Sequence, residues 1–325
     1  MPAKIIDGEA IAKEIIAEVA AGARKLADAG RPPRLVAVQV GENPASKIYT
    51  NMQAKSCQDV GIGYELLSMP ENVSQADLLD RIGQLNGDPK VSGIILQMPL
   101  PRQIDARAVQ VKIAPEKDVE GMHPQNLGRL FYGGGIVAPC TPMAAVTLLK
   151  AACPDLAGKE TVVVGHSEIV GKPIAAILLQ SLNASPTVTV CHVATKDLAA
   201  HTRRAEVLLV ATGVPQVRWL SYQRRRKAGE KPAPPDLSPL VKGDMIRPGA
   251  IVIDVAINRI PKALDANGDP VLNEKGKPAM RTVGDVDAAA AMETASAVTP
   301  VPGGVGPVTV AMLLKNTLAC ASATA

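Results

Sequence analysis

The chain has 325 residues, 47% of them apolar and 20% charged, with a formal net charge of +4. Aromatic residues make up only 2%: Phe131, Trp219, Tyr49, Tyr64, Tyr132 and Tyr222. That poverty argues against a single-strand nucleic-acid groove, which needs rings for base stacking, and against an aromatic cage, which needs several together.

The length predicts two domains, each large enough to bury a core. The charge-free stretch 136–149 is broken by proline and threonine. It falls short of the ~18–20 apolar residues of a membrane span. Asp7 and Glu9 precede an amphipathic run, Ile11, Ile15, Ile16 and Val19, so no signal peptide is expected. The five cysteines, at positions 57, 140, 153, 191 and 320, contain no C-x-x-C pair and predict free thiols in a reducing cytoplasm. His123, His166, His192 and His201 never pair at metal-ligand spacing, so no metal is expected.

In chain order, Arg34 to Val40 reads as a buried strand, followed by a helix from about Ala45 to Val60. A second strand covers Gly93 to Gln97, and a helix covers Met143 to Ala152. Then come a strand at Glu160–Val164 and a helix from about Val170 to Ser181. Further strands are predicted at Thr187–Cys191, Val207–Ala211 and Ile251–Val255. Strands alternating with helices at this rhythm predict an α/β protein with parallel sheets covered on both faces. Residues 216–248 show no clear period and read as an inserted basic loop. Between Val217 and Arg247, eight basic residues stand against three acids, including the run Arg224-Arg-Arg226-Lys227. That loop is either a solvated surface or a clamp for a ligand phosphate or carboxylate. One basic loop on a near-neutral chain does not predict nucleic-acid binding.

Thr161-Val-Val-Val-Gly165-His-Ser167-Glu-Ile-Val-Gly171-Lys-Pro173 is a strand, a glycine turn and a helix start. Gly165 permits the bend, Ser167 and free backbone N–H groups face a phosphate, and Gly171 lets helix and strand approach closely. The spacing is G-x-S-x-x-x-G rather than G-x-G-x-x-G, so a plain strand-to-helix turn with a capping serine stays open beside a dinucleotide site. Thr212 and Gly213 follow another strand end and add to the dinucleotide reading.

Eight segments together carry a resemblance. They are Val40-Gly-Glu-Asn-Pro-Ala-Ser-Lys-Ile-Tyr49, Gln97-Met-Pro-Leu-Pro101, Pro115-Glu-Lys-Asp-Val-Glu-Gly121 and Pro139-Cys-Thr-Pro142, then Gly165-His-Ser167. Ile251-Val-Ile-Asp-Val-Ala-Ile-Asn258, Val283-Gly-Asp-Val286 and Thr299-Pro-Val-Pro-Gly-Gly-Val-Gly-Pro307 complete them. The chain resembles the bifunctional 5,10-methylenetetrahydrofolate dehydrogenase/methenyltetrahydrofolate cyclohydrolase family over nearly its whole length, interrupted around 216–248 and 262–280. The resemblance implies a folate-binding α/β domain, residues 1–142 plus 303–325, and a Rossmann-like, doubly wound NAD(P)-binding domain, residues 143–302. It also implies a homodimer, and a tetrahydrofolate substrate, with or without a polyglutamate tail, lying between the domains. Tyr49 resembles the ring that stacks on folate and Gln97 the amide beside the reacting carbon. Leu96, Met98, Asp118 and the loop Pro302, Gly303, Gly304, Val305, Gly306 are implied as further substrate contacts. Gly165, His166, Ser167, Gly171, Thr212, Gly213 and Ile257 are implied as cofactor contacts.

Two positions depart from the family pattern. Four residues after its tyrosine the family carries a lysine that serves the cyclohydrolase step; here that position is Gln53. Residues i and i+4 share a helical face, and Lys55 points about 120° away from Tyr49 at ~100° per residue. Glutamine donates hydrogen bonds but does not titrate. Glu120 replaces an aspartate, lengthening a carboxylate that grips the pterin ring. The expectation is a dehydrogenase with weak or absent cyclohydrolase activity. A fully bifunctional enzyme making 10-formyltetrahydrofolate and a catalytically silent nucleotide-binding protein are the alternatives. NADP is the family default, but His166 and the Val193-Ala194 pair after His192 form a poor 2′-phosphate clamp, which leaves NAD open.

Overall fold

Two parallel sheets form where runs of β-branched residues are buried on both faces. The computed structural model describes residues 2–41 and 44–323, with backbone alone for 44–49. In chain order the elements begin with β1 (Lys4–Ile5), α1 (Gly8–Asp28), β2 (Arg34–Val40), α2 (Pro44–Asp59) and β3 (Gly63–Met69). Then follow α3 (Gln75–Gly87), β4 (Gly93–Leu96), α4 (Ala106–Lys112), α5 (Pro124–Tyr132) and α6 (Cys140–Ala152). The next are β5 (Glu160–Val164), α7 (Gly171–Leu178), β6 (Thr187–Cys191), α8 (Leu198–Arg204), β7 (Val207–Val210) and α9 (Val214–Lys227). The last are β8 (Ile251–Asp254), β9 (Asn258–Pro261), β10 (Met280–Val283), α10 (Ala288–Thr294), β11 (Ala297–Val298) and α11 (Val305–Ala323).

The chain forms two compact units. One comprises Ala10–Met143 and the chain from Val308 on. Its sheet has the order β3-β2-β4, all parallel. Val36, Val38, Ile94 and Leu96 pack on Leu78, Ile82 and Leu85, which recur at helical spacing along α3. Ser74 starts that helix by accepting the Asp77 N–H at 3.1 Å. Leu35, Ala37 and Ile95 are buried on the opposite face, which is why β2 reads as a continuous apolar run. Beside β4 the chain extends the sheet: Ile94 pairs with Asp118 and donates its N–H to the Lys117 carbonyl at 2.8 Å. Gly93 is required there, because a Cβ would lie 2.2 Å from Val119 Cγ1.

By length and composition α11 could cross a membrane. Ala311, Leu314, Thr317 and Cys320 are instead buried in protein, and Asn316 Nδ2 donates to the Val119 and Ala138 carbonyls at 2.9 Å each.

The other unit comprises the residues up to Glu9 and Ala144–Pro307. Its sheet runs β1-β11-β8-β7-β5-β6, all parallel. From β5 the chain steps outward to β6, then returns to β7 on β5's other side, so the winding reverses between β5 and β7. Residues 2–9 group with this unit, whereas the sequence reading set them with the folate segment. The reason is pairing: Lys4 and Ile5 lie in register with Ala297 and Val298. Residues 303–307 likewise group with this unit.

The segment 216–248 corrects the sequence reading most. Its first part is not a loop but helix α9, ending at Lys227. Pro215, Trp219 and Tyr222 are its buried residues, spaced four and three apart, a helical face hidden in a run of Arg and Gln. Trp219 and Tyr222 pack on Ile260 of the antiparallel hairpin β9–β10. Gly268 is needed beneath them, since a Cβ would meet the Tyr222 hydroxyl at 2.0 Å. Most of the stretch from Ala228 to Val241 has no regular structure. Trp219→Ala should therefore destabilise this unit by about 3–5 kcal/mol, as for a buried ring, rather than the few tenths expected of a loop residue. Calorimetric melting of the purified variant checks it.

Candidate active site

Functional side chains gather at the carboxyl ends of both sheets, where parallel α/β folds bind their ligands. In the folate-side unit, β4 ends at Leu96 and delivers Gln97, whose N–H continues the ladder to the Val38 carbonyl at 2.8 Å. Helix α2 supplies Gln53, only 2% exposed. Gln97 Nε2 donates to Gln53 Oε1 at 2.9 Å, and the Tyr64 hydroxyl donates to the same oxygen at 3.4 Å. Gln53 Nε2 is buried with no partner among the described residues. Lys55 is exposed, on another face of the helix. Tyr49 lies one turn before Gln53 in α2, and its side chain is outside the described residues.

Asp118 and Glu120 flank the strip added beside β4. Asp118 is buried, and its Oδ2 accepts the His123 N–H at 2.7 Å and Asn126 Nδ2 at 3.0 Å. Among the described residues Glu120 has no comparable set of donors. Burial pushes its carboxyl up to about 7, the charge of Asp118 adds to the rise, and a backbone hydrogen bond at Leu96 opposes it. Burial likewise raises the Cys140 thiol, with Glu120 and Asp118 adding to it, so this cysteine is no nucleophile. Met98, after the strand, is half exposed.

The nucleotide-side unit is shaped by two close approaches. A Cβ on Gly165 would lie 2.3 Å from the Ala211 carbonyl oxygen, across the reversal between β5 and β7. A Cβ on Gly171 would lie 1.9 Å from the Gly165 carbonyl oxygen. Ser167 Oγ accepts the Val170 and Gly171 N–H groups at 3.1 and 3.4 Å, so it caps the start of α7 while its hydroxyl proton stays available to an acceptor. His166 stacks on His192 with centroids 4.5 Å apart and planes 11° off parallel. The Ala194 N–H donates to His192 Nδ1 at 3.2 Å. Such a turn, closed to a Cβ and open along its backbone, fits the diphosphate of a dinucleotide.

The backbone of Thr212 and Gly213 is tied into the protein. Their N–H groups donate to Asp285 Oδ2 at 2.7 and 2.9 Å. Asp285 N–H in turn donates to Asp254 Oδ1 at 3.0 Å, and Asp254 N–H to Thr299 Oγ1 at 2.8 Å. Burial pushes the Asp254 carboxyl up to about 7, against backbone bonds from Asp285 and Val286. The loop Pro302 to Gly306 starts from this network. Its Gly304 carbonyl leaves no room for a Cβ on Gly8, which would sit 1.9 Å away, and Gly306 faces Ile257.

Of the basic run, Arg226 pairs with Asp269 and lies 5.6 Å over the Tyr222 ring, and Arg225 pairs with Glu230 at 2.6 Å. Tyr64, His123 and Asn126 carry the site's geometry although the sequence reading gave them no place in it, and Asp254 and Asn258 sit in a quoted motif without a role. Asp285 sits in a quoted motif but had been given no role. Among the described residues no group of three or more His, Cys, Asp or Glu could hold a metal.

Fold and turn define a dinucleotide-binding α/β protein with a second, substrate-binding unit. The chain belongs to the tetrahydrofolate dehydrogenase/cyclohydrolase family: the model of its catalytic domain matches residues 6–120, and that of its NAD(P)-binding domain matches 139–220 and 237–325. The bifunctional protein FolD of Geotalea uraniireducens is 47% identical over 319 residues, covering 98% of this chain and 99% of that one. The structure of the bifunctional FolD enzyme, methylenetetrahydrofolate dehydrogenase/cyclohydrolase, from Campylobacter jejuni superposes with a TM-score of 0.81 at 38% identity, covering 98% and 99% of the two chains. The Trypanosoma brucei methylenetetrahydrofolate dehydrogenase-cyclohydrolase, complexed with NADP and an inhibitor, gives 0.81 at 34% identity, covering 99% and 98%.

The two raised carboxyls set a pH dependence. In the unfolded chain both ionise near ~4; folded, Glu120 and Asp254 hold their protons to about 7. Stability is thus full below ~4 and falls as pH rises towards 7, because only the folded state must bury the charge. Glu120→Gln should flatten that fall by up to about 1.4 kcal/mol per pH unit, read from urea unfolding between pH 5 and 7.

Proposed function

We propose that the protein oxidises 5,10-methylenetetrahydrofolate to 5,10-methenyltetrahydrofolate and has little or no cyclohydrolase activity. A nicotinamide dinucleotide held in the site would supply the acceptor for the hydride that leaves the methylene carbon of the folate. The chain's own task is then mainly to position and to keep water out. Gln97, anchored by its backbone to β2 and by its amide to Gln53, orients the reacting carbon. Asp118 and Glu120 hold the pterin, and Tyr49 stacks on it. Gly165, His166, Ser167 and Gly171 hold the cofactor, with Thr212, Gly213 and Ile257 along its path and the 302–306 loop closing over the substrate.

One observation carries the hydrolytic half of the reading. The position one helical turn beyond Tyr49 is a buried amide tied to Gln97, where hydration and ring opening need a group that exchanges protons. The second element is cofactor choice, which we read as NAD over NADP. His166 stacks on a ring whose Nδ1 already accepts a backbone N–H, and Val193 beside it is exposed. Two stacked imidazoles, one of them accepting a backbone N–H, and an alkyl group suit a ribose diol better than a phosphate dianion. The reading also makes the protein a cytoplasmic homodimer, supported by the family resemblance and by five free thiols.

Absorbance of methenyltetrahydrofolate, followed with each nucleotide, tests the reading. Formation should be faster with NAD, and hydrolysis of added methenyltetrahydrofolate should run at under about a tenth of dehydrogenase turnover, given the 10²–10⁴-fold worth of a proton-transfer group. Comparable rates would overturn it. Gln53→Lys should raise hydrolysis by about tenfold or more; an unchanged rate would place the block at Glu120 instead.

A further inference from the structure

Every backbone N–H at the start of α9 is used inside the protein. Thr212 and Gly213 donate to Asp285 Oδ2, Val214 donates to Thr212 Oγ1 at 3.4 Å, Pro215 has none to give, and Gln216 donates to Asn258 Oδ1 at 3.1 Å. The Thr212 hydroxyl adds a bond to Asp285 Oδ2 at 2.6 Å, and Asn258 Nδ2 donates to Oδ1 at 2.9 Å. Four donors therefore converge on one carboxylate whose residue is fully buried, as is Asn258.

A helix start at the carboxyl edge of a parallel sheet, next to the reversal, is where open N–H groups and the helix dipole draw phosphate. This unit has two such starts, α7 after β5 and α9 after β7. They are built oppositely. At α7 the N–H groups of His166 and Ser167 make no hydrogen bond among the described residues. At α9 the chain's own carboxylate already fills the place an anion would take.

We propose that Asp285 is a positioning residue for the nicotinamide dinucleotide. By filling the start of α9 it confines the cofactor's phosphates to the α7 turn, and it fixes the Thr212–Gly213 turn against which the uncharged half of the cofactor lies. The proposal rests on the NAD(P)-binding character of this unit. Failure of the wild-type protein to bind either nucleotide would remove that basis and is read separately from the variants.

The test is steady-state kinetics with the full chain, using inorganic pyrophosphate as the competing anion. Asp285→Asn keeps the size but removes the charge and leaves the Asn258 amide facing another donor. It should raise the KM for the dinucleotide about tenfold, with kcat and the folate KM changed far less. Pyrophosphate should also inhibit it about tenfold more tightly than wild type, competitively with the dinucleotide, because the neutral amide no longer repels an anion from the helix start. Thr212→Val removes one of the bonds and keeps the carboxylate. It should raise the dinucleotide KM about threefold without gaining pyrophosphate sensitivity, and it carries the test if Asp285→Asn does not fold. An unchanged dinucleotide KM in the folded variants, or pyrophosphate inhibition of Asp285→Asn equal to that of wild type, would reduce Asp285 to a structural residue and overturn the proposal.

Discussion

Two neighbouring parallel strands that end together leave almost no space between the chains that depart from them. Strands β5 and β7 end in that way, and Gly165 passes so close to the Ala211 carbonyl that any side chain would collide with it. The same crowding recurs one step on, where Gly171 meets the Gly165 carbonyl. Bare backbone is therefore forced to the surface where a diphosphate can reach it. On the β7 side, Asp285 holds the Thr212–Gly213 turn, Asp254 holds Asp285, and Thr299 holds Asp254. A relay of single hydrogen bonds thus links the crowded turn to the start of the glycine loop at 302–306. Its two carboxyl groups are tolerable in a low-dielectric interior only because backbone N–H groups surround them.

The folate-side unit uses the opposite device. Its sheet edge collects polar side chains that are only partly satisfied. Asp118 is well held by His123 and Asn126, whereas desolvation raises the Glu120 carboxyl, and the buried Gln53 amide nitrogen has no acceptor among the described residues. Unmatched polar groups in a folded interior cost about 1–3 kcal/mol each. They are found where binding has something to gain, and a ligand that brings an acceptor to Gln53 recovers that cost. The Gln53 amide grips Gln97 by a hydrogen bond, and as an amide it donates and accepts such bonds without titrating.

Much of this was legible in the sequence. Arg34–Val40, Glu160–Val164 and Thr187–Cys191 are strands at the limits their β-branched runs imply. The Gly165 and Gly171 turn could be read because each glycine answers a local steric demand. What stayed hidden depends on residues far apart in the chain. Asp285 lies 72 and 73 positions from the N–H groups it holds, and nothing local marks it as a helix cap. Lys4 and Ile5 follow their partner strand, which lies nearly 300 residues away. Helix α9 was obscured for another reason: three buried residues are too thin a stripe to show among arginines, although their spacing was correct. The pairing of Gln53 with Tyr64 joins a helix to a different strand and has no periodic signature.

The basic run at the end of α9 has a consequence for how ligands arrive. Arg225 and Arg226 each sit against a carboxylate of the same unit, so towards solvent they present dipoles rather than bare charges. The field of a dipole fades faster with distance than that of a lone cation, and salt cuts off what remains within ~8 Å at physiological strength. The chain's modest excess of positive charge is therefore a poor beacon. These two arginines therefore add little to the long-range attraction of an anionic ligand.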